Sequence, residues 1–323
     1  MRIGWHVAWL SLALLFGLPA VAATRYVGSC GTPNSATIAA AVTAAANGDT
    51  INICPGTYAE AVNVGKNNLT LQSSTNNAAD VTVTNAGTPI MLSGSTLTLR
   101  ALTVVSTGGV GVSRPWTATP STHLFEDLVI TARSQAINVN RSTALTFRNV
   151  TATSSNDTAI YVDYSANGLH VFDHVTATGK SYGIYVSRGA SSFSAVVANA
   201  TDNDAIYFGS LYPATLSAIR ATSSGGRGIY IVWGTGAFNA MTLTDLTVSS
   251  KLAGIQIDQS GKVTIDNAEV TSSNGDGIQL NYGASGAHEL SNIVVSAPSG
   301  YGLYAGYGLG TVADFAIASG DNG

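Results

Sequence analysis

Three aspartates, Asp157, Asp204 and Asp276, each stand two or three residues ahead of an isoleucine, at Ile160, Ile206 and Ile278. Carboxyl pairs are what glycoside hydrolysis needs, about 5–5.5 Å apart in retaining enzymes and about 6.5–9.5 Å apart in inverting ones. A second group is aromatic. Tyr161, Tyr185, Tyr207 and Tyr230 each follow an isoleucine by one residue, while Arg141, Tyr164, Arg188 and Trp233 follow one by four, as Arg114 follows Val110. Rings beside guanidinium and amide groups suit a sugar chain: the faces meet C–H surfaces, and the polar groups bond hydroxyls or carboxylates. The same rings stacked strand upon strand would stabilise a sheet with no ligand at all, by about 0.5–1.5 kcal/mol per pair. Both readings stand.

Other combinations carry less. His174 with Asp127 is half of a nucleophilic triad, but no serine can be singled out to complete it. His123, His170, His174 and His288 show no metal-ligand spacing, so neither a metal nor a cofactor is expected. The net charge of −4 offers no basic field, which argues against nucleic acid as a partner. Charged residues make up 10 % of the 323, against about 25 % in an average soluble protein. The remainder is rich in glycine and small polar residues, yet 45 % is hydrophobic, so the chain is turn-rich and ordered.

These residues must be positioned by short strands. Val110, Ile137, Ile160, Ile184, Ile206, Ile229, Ile255, Ile278 and Leu303 head similar apolar segments at steps of 22 to 27 residues. A second segment recurs between them, as in "HLFEDLVITA", "LTFRNVTATS" and "LHVFDHVTAT". Period-2 alternation and a constant short repeat specify a solenoid whose coils bury their inner side chains only by stacking about 4.8 Å apart. The expected fold is all-β, a single-stranded parallel β-helix of roughly 11 coils. The leucine-rich alternative lacks its L-x-x-L-x-L spacing.

Two further columns follow from this alignment. Glu126, Arg148 and Asp173 form an alternating-charge ladder; Asp127, Asn149 and His174, continued by Asp245, Asn267 and Asn292, form a ladder of stacked turn residues. The coil spacing then tests the aspartates. Asp157 and Asp204 lie two coils apart, roughly 10 Å, and Asp204 and Asp276 three coils apart, roughly 14 Å. Neither separation suits a glycosidase, and as turn residues all three are already explained.

Ahead of the repeat, "SATIAAAVTAAANG" reads as a short helix capped by Asn34 or Ser35, with Ile38 and Val42 on one face and Gly48 at its end. Such a helix covers the open end of a first coil. Met1 to Ala23 has a positive start, an apolar core and a small-residue end at Ala20 to Ala23, the pattern of a signal peptide cleaved near Ala23. The mature chain is therefore expected outside the cytoplasm, in the periplasm, secreted or at the cell surface, with no membrane span. Cys30 and Cys54, the only cysteines, are then expected as a disulfide contributing about 3 kcal/mol. The organisation is thus 1–23 signal, 24–64 cap and first coil, and 65–323 β-helix. The last segment, "ADFAIASGDNG", stops inside a coil, which leaves end-to-end association or a longer parent chain open.

The stretch "ATIAAAVTAAANGDTINICPGTYAEAVNV", with "NNLTLQSS" after it and "NGDGIQL" units later, resembles the secreted right-handed parallel β-helix proteins of the pectin-lyase-like superfamily. The resemblance implies the handedness of the coil over essentially the whole mature chain. For activity it implies a range from lyases and hydrolases to non-catalytic binders. Lyases of that superfamily need a basic proton abstractor beside a carboxylate-held calcium; Lys66, Lys180, Lys251 and Lys262 have no acidic cluster with them. The expected function is non-catalytic binding of a polysaccharide or cell-surface glycan by the tyrosine and arginine face. A polysaccharide-degrading enzyme (pectate or uronate lyase, or glycoside hydrolase) and a structural spacer remain as alternatives.

Overall fold

Alternating inward residues build the coil. In the computed structural model, which describes residues 22–117, 119–163, 169–234, 240–283, 288–306 and 308–319, the chain winds as a right-handed parallel β-helix. It has about 12 turns, one more than expected. The anchors pair in register as Val112, Ile137, Ile160, Ile184, Ile206, Ile229, Ile255, Ile278 and Leu303. From Ile137 onward this is the predicted column. The first member is a correction: Val112, not Val110, pairs with Ile137, and Arg114 pairs with Val139 rather than with Arg141. A slip of two residues keeps the same face inward, so alternation alone does not detect it.

A second wall carries the larger side chains. Phe125, Phe147, Phe172 and Phe193 stack with centroids 4.9, 4.7 and 4.3 Å apart, and Phe208 meets the last edge-on at 5.2 Å. All five are fully buried. Two residues beyond the first three, Asp127, Asn149 and His174 adopt left-handed φ of 53°, 50° and 53°. This is the bend that starts the next wall, and Asn and Asp tolerate it best. Asp245, Asn267 and Asn292 repeat it. The turn ladder expected there forms in pairs, Asn149 Nδ2 to Asp127 at 2.8 Å and Asn267 Nδ2 to Asp245 at 2.6 Å. Asn292 turns instead to Asp266, and His174 Nδ1 meets Asp173 at 2.8 Å, away from any triad with Asp127. Glu126, Arg148 and Asp173 lie in register, and Glu126 forms an ion pair with Arg100 at 3.2 Å.

The N-terminal end is covered by α1 (Ile38–Ala44), which buries Ile38, Ala41 and Val42. Its cap is Thr37, whose hydroxyl accepts from Ala40 N at 3.1 Å. Asn34 and Ser35 instead form a two-residue strand on Thr24–Val27, because pairing that edge satisfies backbone groups a cap there would leave open. Glu60 accepts from the free N–H groups of Ile38 and Ala39 at 2.8 and 2.9 Å. Asp49 ties the first coil together, accepting from Ala23 N, Ala46 N and Arg25 Nε; the Ala23 bond is the largest of the effects that hold its carboxyl below the ordinary value.

Cys30 and Cys54 are joined as a disulfide. Its reduction should lower stability by about 3 kcal/mol in the loop-entropy model. Urea unfolding with and without reductant reads this directly, and a change below about 1 kcal/mol would mean that α1 and its contacts hold the cap unaided. Among the described residues no helix is long and apolar enough to cross a membrane.

Candidate functional site

One wall of the coil begins at the anchor isoleucines, and three columns of it face outward: two residues before the anchor, one after it, and three after it. The middle column is the tyrosine column. Tyr161 and Tyr185 stack at 4.8 Å with planes 9° apart, and Tyr185 and Tyr207 at 4.7 Å and 4°. Tyr230 turns edge-on to Tyr207 at 5.5 Å. Parallel strands with identical residues in register force this stack, since adjacent coils bring the rings to near contact distance. The face of each inner ring is therefore occupied by its neighbour. What the column presents outward is ring edges and phenol groups, not the open faces expected from the sequence.

The flanking columns hold the polar groups. Tyr182 and Asp204 stand two residues before their anchors, and Arg227 follows Asp204 on the next coil. Asp204 is 5 % exposed; it accepts from Arg227 N at 2.8 Å and pairs with the guanidinium at 3.4 Å. Burial pushes its carboxyl up, and Arg227 opposes that shift. The same guanidinium lies 3.9 Å from the Tyr230 ring centroid and donates from Nε to Gln256 at 2.6 Å. Three residues after their anchors come Asp163, Asp258 and Asn281. Asp258 accepts from Tyr230 Oη at 2.6 Å, Gln256 Nε2 at 2.7 Å and Asn281 Nδ2 at 2.6 Å. Asp163 accepts from Tyr161 Oη at 3.3 Å.

Burial, helped by these carboxylates, raises the Tyr161 and Tyr230 phenols to about 12. Tyr185 is raised further, by burial first and then by Tyr207 and Tyr161. All three remain protonated donors at any physiological pH.

The predicted residues separate on this wall. Tyr161, Tyr185, Tyr207 and Tyr230 come together as one column. Arg141 sits one coil before Tyr161 with its guanidinium 5.3 Å from the Trp116 ring, and Trp116 is 55 % exposed. Arg188 is exposed, on the strand opposite Ser210. Tyr164 and the Trp233 side chain lie outside the described residues.

The three aspartates are two and three coils apart by register. Each fixes a turn: Asp157 accepts from Thr158 N at 2.7 Å and from Gln135, Asp204 holds Arg227, and Asp276 accepts from Tyr301 N at 2.9 Å. Among the described residues no three His, Cys, Asp or Glu side chains gather into a metal cage. Sequence reasoning missed Tyr182, Arg227, Asp163, Asp258 and Trp116. The first four were legible as two further columns on the anchor alignment, whereas Trp116 belongs to an irregular turn with no repeat.

Residues 227–319 match the family model described as the right-handed β-helix region. No curated protein matches the sequence. Among solved structures, the catalytic unit of a thermostable GH87 α-1,3-glucanase from Streptomyces thermodiastaticus is similar at 12 % identity and a TM-score of 0.43, covering 95 % of this chain and 70 % of that one. The family match agrees with the coil described above, a right-handed parallel β-helix, the fold that the opening stretch implied.

Proposed function

We propose that the protein is exported and binds a polysaccharide or cell-surface glycan along this wall, without turning it over. The observation that carries the reading is the run of phenol hydroxyls from Tyr161 to Tyr230, the outer two donating to Asp163 and Asp258, beside Arg227, Gln256 and Asn281, which are fixed by hydrogen bonds within the protein. Repeated, pre-oriented donors and acceptors at the coil spacing suit a repeating, hydroxyl-rich ligand, because little side-chain entropy is lost on binding. The stacked rings leave hydrogen bonding, not ring-face contact, as the main attraction. Paired carboxylates at a hydrolytic separation are not what the predicted aspartates form, so binding is the reading the geometry favours.

The phenols give the test. Tyr185→Phe with Tyr207→Phe keeps the ring stack and removes two hydroxyls. On a glycan array the doubly substituted chain should lose roughly tenfold or more in affinity, at about 1 kcal/mol per hydrogen bond, with unchanged thermal unfolding. Undiminished binding would place the ligand elsewhere.

A further inference from the structure

Among the described residues, the lumen of the coil holds a cation with no counter-charge beside it. Arg114, at the end of Val112–Arg114, occupies an inward position opposite Val139 and is 1 % exposed. Among the described residues its guanidinium donates to neutral oxygens alone: Asn140 O at 3.0 Å, Thr117 Oγ1 at 2.8 Å, Thr119 O at 2.9 Å and Pro115 O at 3.4 Å. Its Nε has no partner among the described residues, and the charge that acts on it is that of another cation, Arg141. Guanidinium stays protonated in proteins, and a buried charge costs several kcal/mol unless it is compensated.

The side chains beside it are also unpartnered. Thr119 and Asn140, which hold the guanidinium, each precede by two residues a buried serine, Ser121 at 1 % exposure and Ser142 at 0 %. Those serines are register partners on adjacent coils. Two residues after Ser121 on the same inward face stands His123, 2 % exposed and close enough for Arg114 to act on its charge. Neither serine hydroxyl has a hydrogen-bond partner, and neither ring nitrogen of His123 has one. Buried polar groups are almost always satisfied, so a cluster of orphans points to a missing occupant. A hydroxyl, an imidazole N–H and a guanidinium N–H are all able to donate. Donors around an uncompensated positive charge select an anion; a neutral water would satisfy the bonds and leave the charge.

The geometry points to a small monovalent anion of halide size, held in the lumen by Arg114 Nε, the hydroxyls of Ser121 and Ser142, and His123. It would link the irregular turn after Arg114 to the following wall of its own coil and to that of the next coil. Further along the lumen His170 and Ser191 are also unpartnered, but among the described residues no cation acts on His170.

Bromide tests this in crystals and in solution. In crystals of the mature chain grown or soaked with sodium bromide, anomalous scattering should show a peak within about 3.5 Å of Arg114 Nε and both serines. In solution, thermal unfolding should shift upward with the logarithm of bromide concentration, relative to sodium gluconate of equal ionic strength, as mass action requires for a ligand of the folded state. Ser121→Ala with Ser142→Ala should fold and lose that shift. A water in the site without anomalous signal, an equal response to gluconate, or an unchanged bromide response in the double variant would each overturn the assignment. Arg114→Met is informative as a second variant if it folds, since it should lose the bromide response as well.

Discussion

Taking the protein from pH 7 to pH 5 in halide-free buffer should remove about 4 kcal/mol of stability through two histidines, about 2 kcal/mol each at about 1.4 kcal/mol per pH unit. His123 and His170 are 2 % and 0 % exposed, and burial holds them neutral down to about 3 and about 4, against an ordinary value of 6.5. Arg114 adds to the shift at His123, but burial is the larger cause. The unfolded chain takes up protons from pH 6.5 downward while the folded chain does not. The stability is therefore complete above pH 6.5 and is lost as the pH falls toward 4.

His288 is shifted in the same direction by burial and adds to the loss. The lumen column itself supplies the control. Leu145 pairs with both histidines, one on each side, so leucine already fits that position. His123→Leu with His170→Leu should flatten most of the acid dependence in urea unfolding series. An unchanged slope would mean that the acid transition arises elsewhere.

The second large effect belongs to the phenylalanine stack. Phe172→Ala removes a fully buried ring that stacks on Phe147 at 4.7 Å and on Phe193 at 4.3 Å. Truncations of this kind cost about 3–5 kcal/mol, with the spread set by how far the cavity collapses. Collapse is limited here, since the walls of adjacent coils are fixed by their backbone ladders. In a solenoid each repeat contacts only its neighbours, so the loss should be local and should broaden the unfolding transition. Phe172→Leu, which nearly conserves volume, should cost less than about 1.5 kcal/mol. An alanine variant within about 1 kcal/mol of the parent would show that the ring stack is not a main source of stability.

The coil was legible because its information is repeated. One residue at an anchor is ambiguous, but Ile137 to Ile278 at near-constant spacing fixes register, and with it the tyrosine column. Where repetition fails, so does the reading. The turn after Arg114 is irregular, and two valines at the right parity let the alignment slip by two, which set Arg114 four residues after its anchor, in the column of Arg141 and Arg188, instead of two residues after it on the buried strand face. The cap of α1 is Thr37, not Asn34 or Ser35, because strand pairing, a tertiary contact, competes with local capping propensity. The tyrosine column was placed correctly, and of the two readings left open for it the ring-on-ring stack is the one that forms; periodicity gives which residues share a column, not how far apart their rings lie. At 4.7 Å the rings use their faces on one another, and the polar columns on either side become the more informative part of the wall.

The central claim is binding without turnover, and one experiment addresses both halves. A chain of residues 24–323 would be incubated with an array of neutral and uronate-rich polysaccharides, with bound protein and released products read from the same wells. The account predicts retention on at least one polysaccharide with no new reducing ends and no unsaturated uronides. Product release would contradict it and turn attention to the carboxylates Asp204 and Asp258. Absence of any retention would contradict it equally and leave the wall as scaffold.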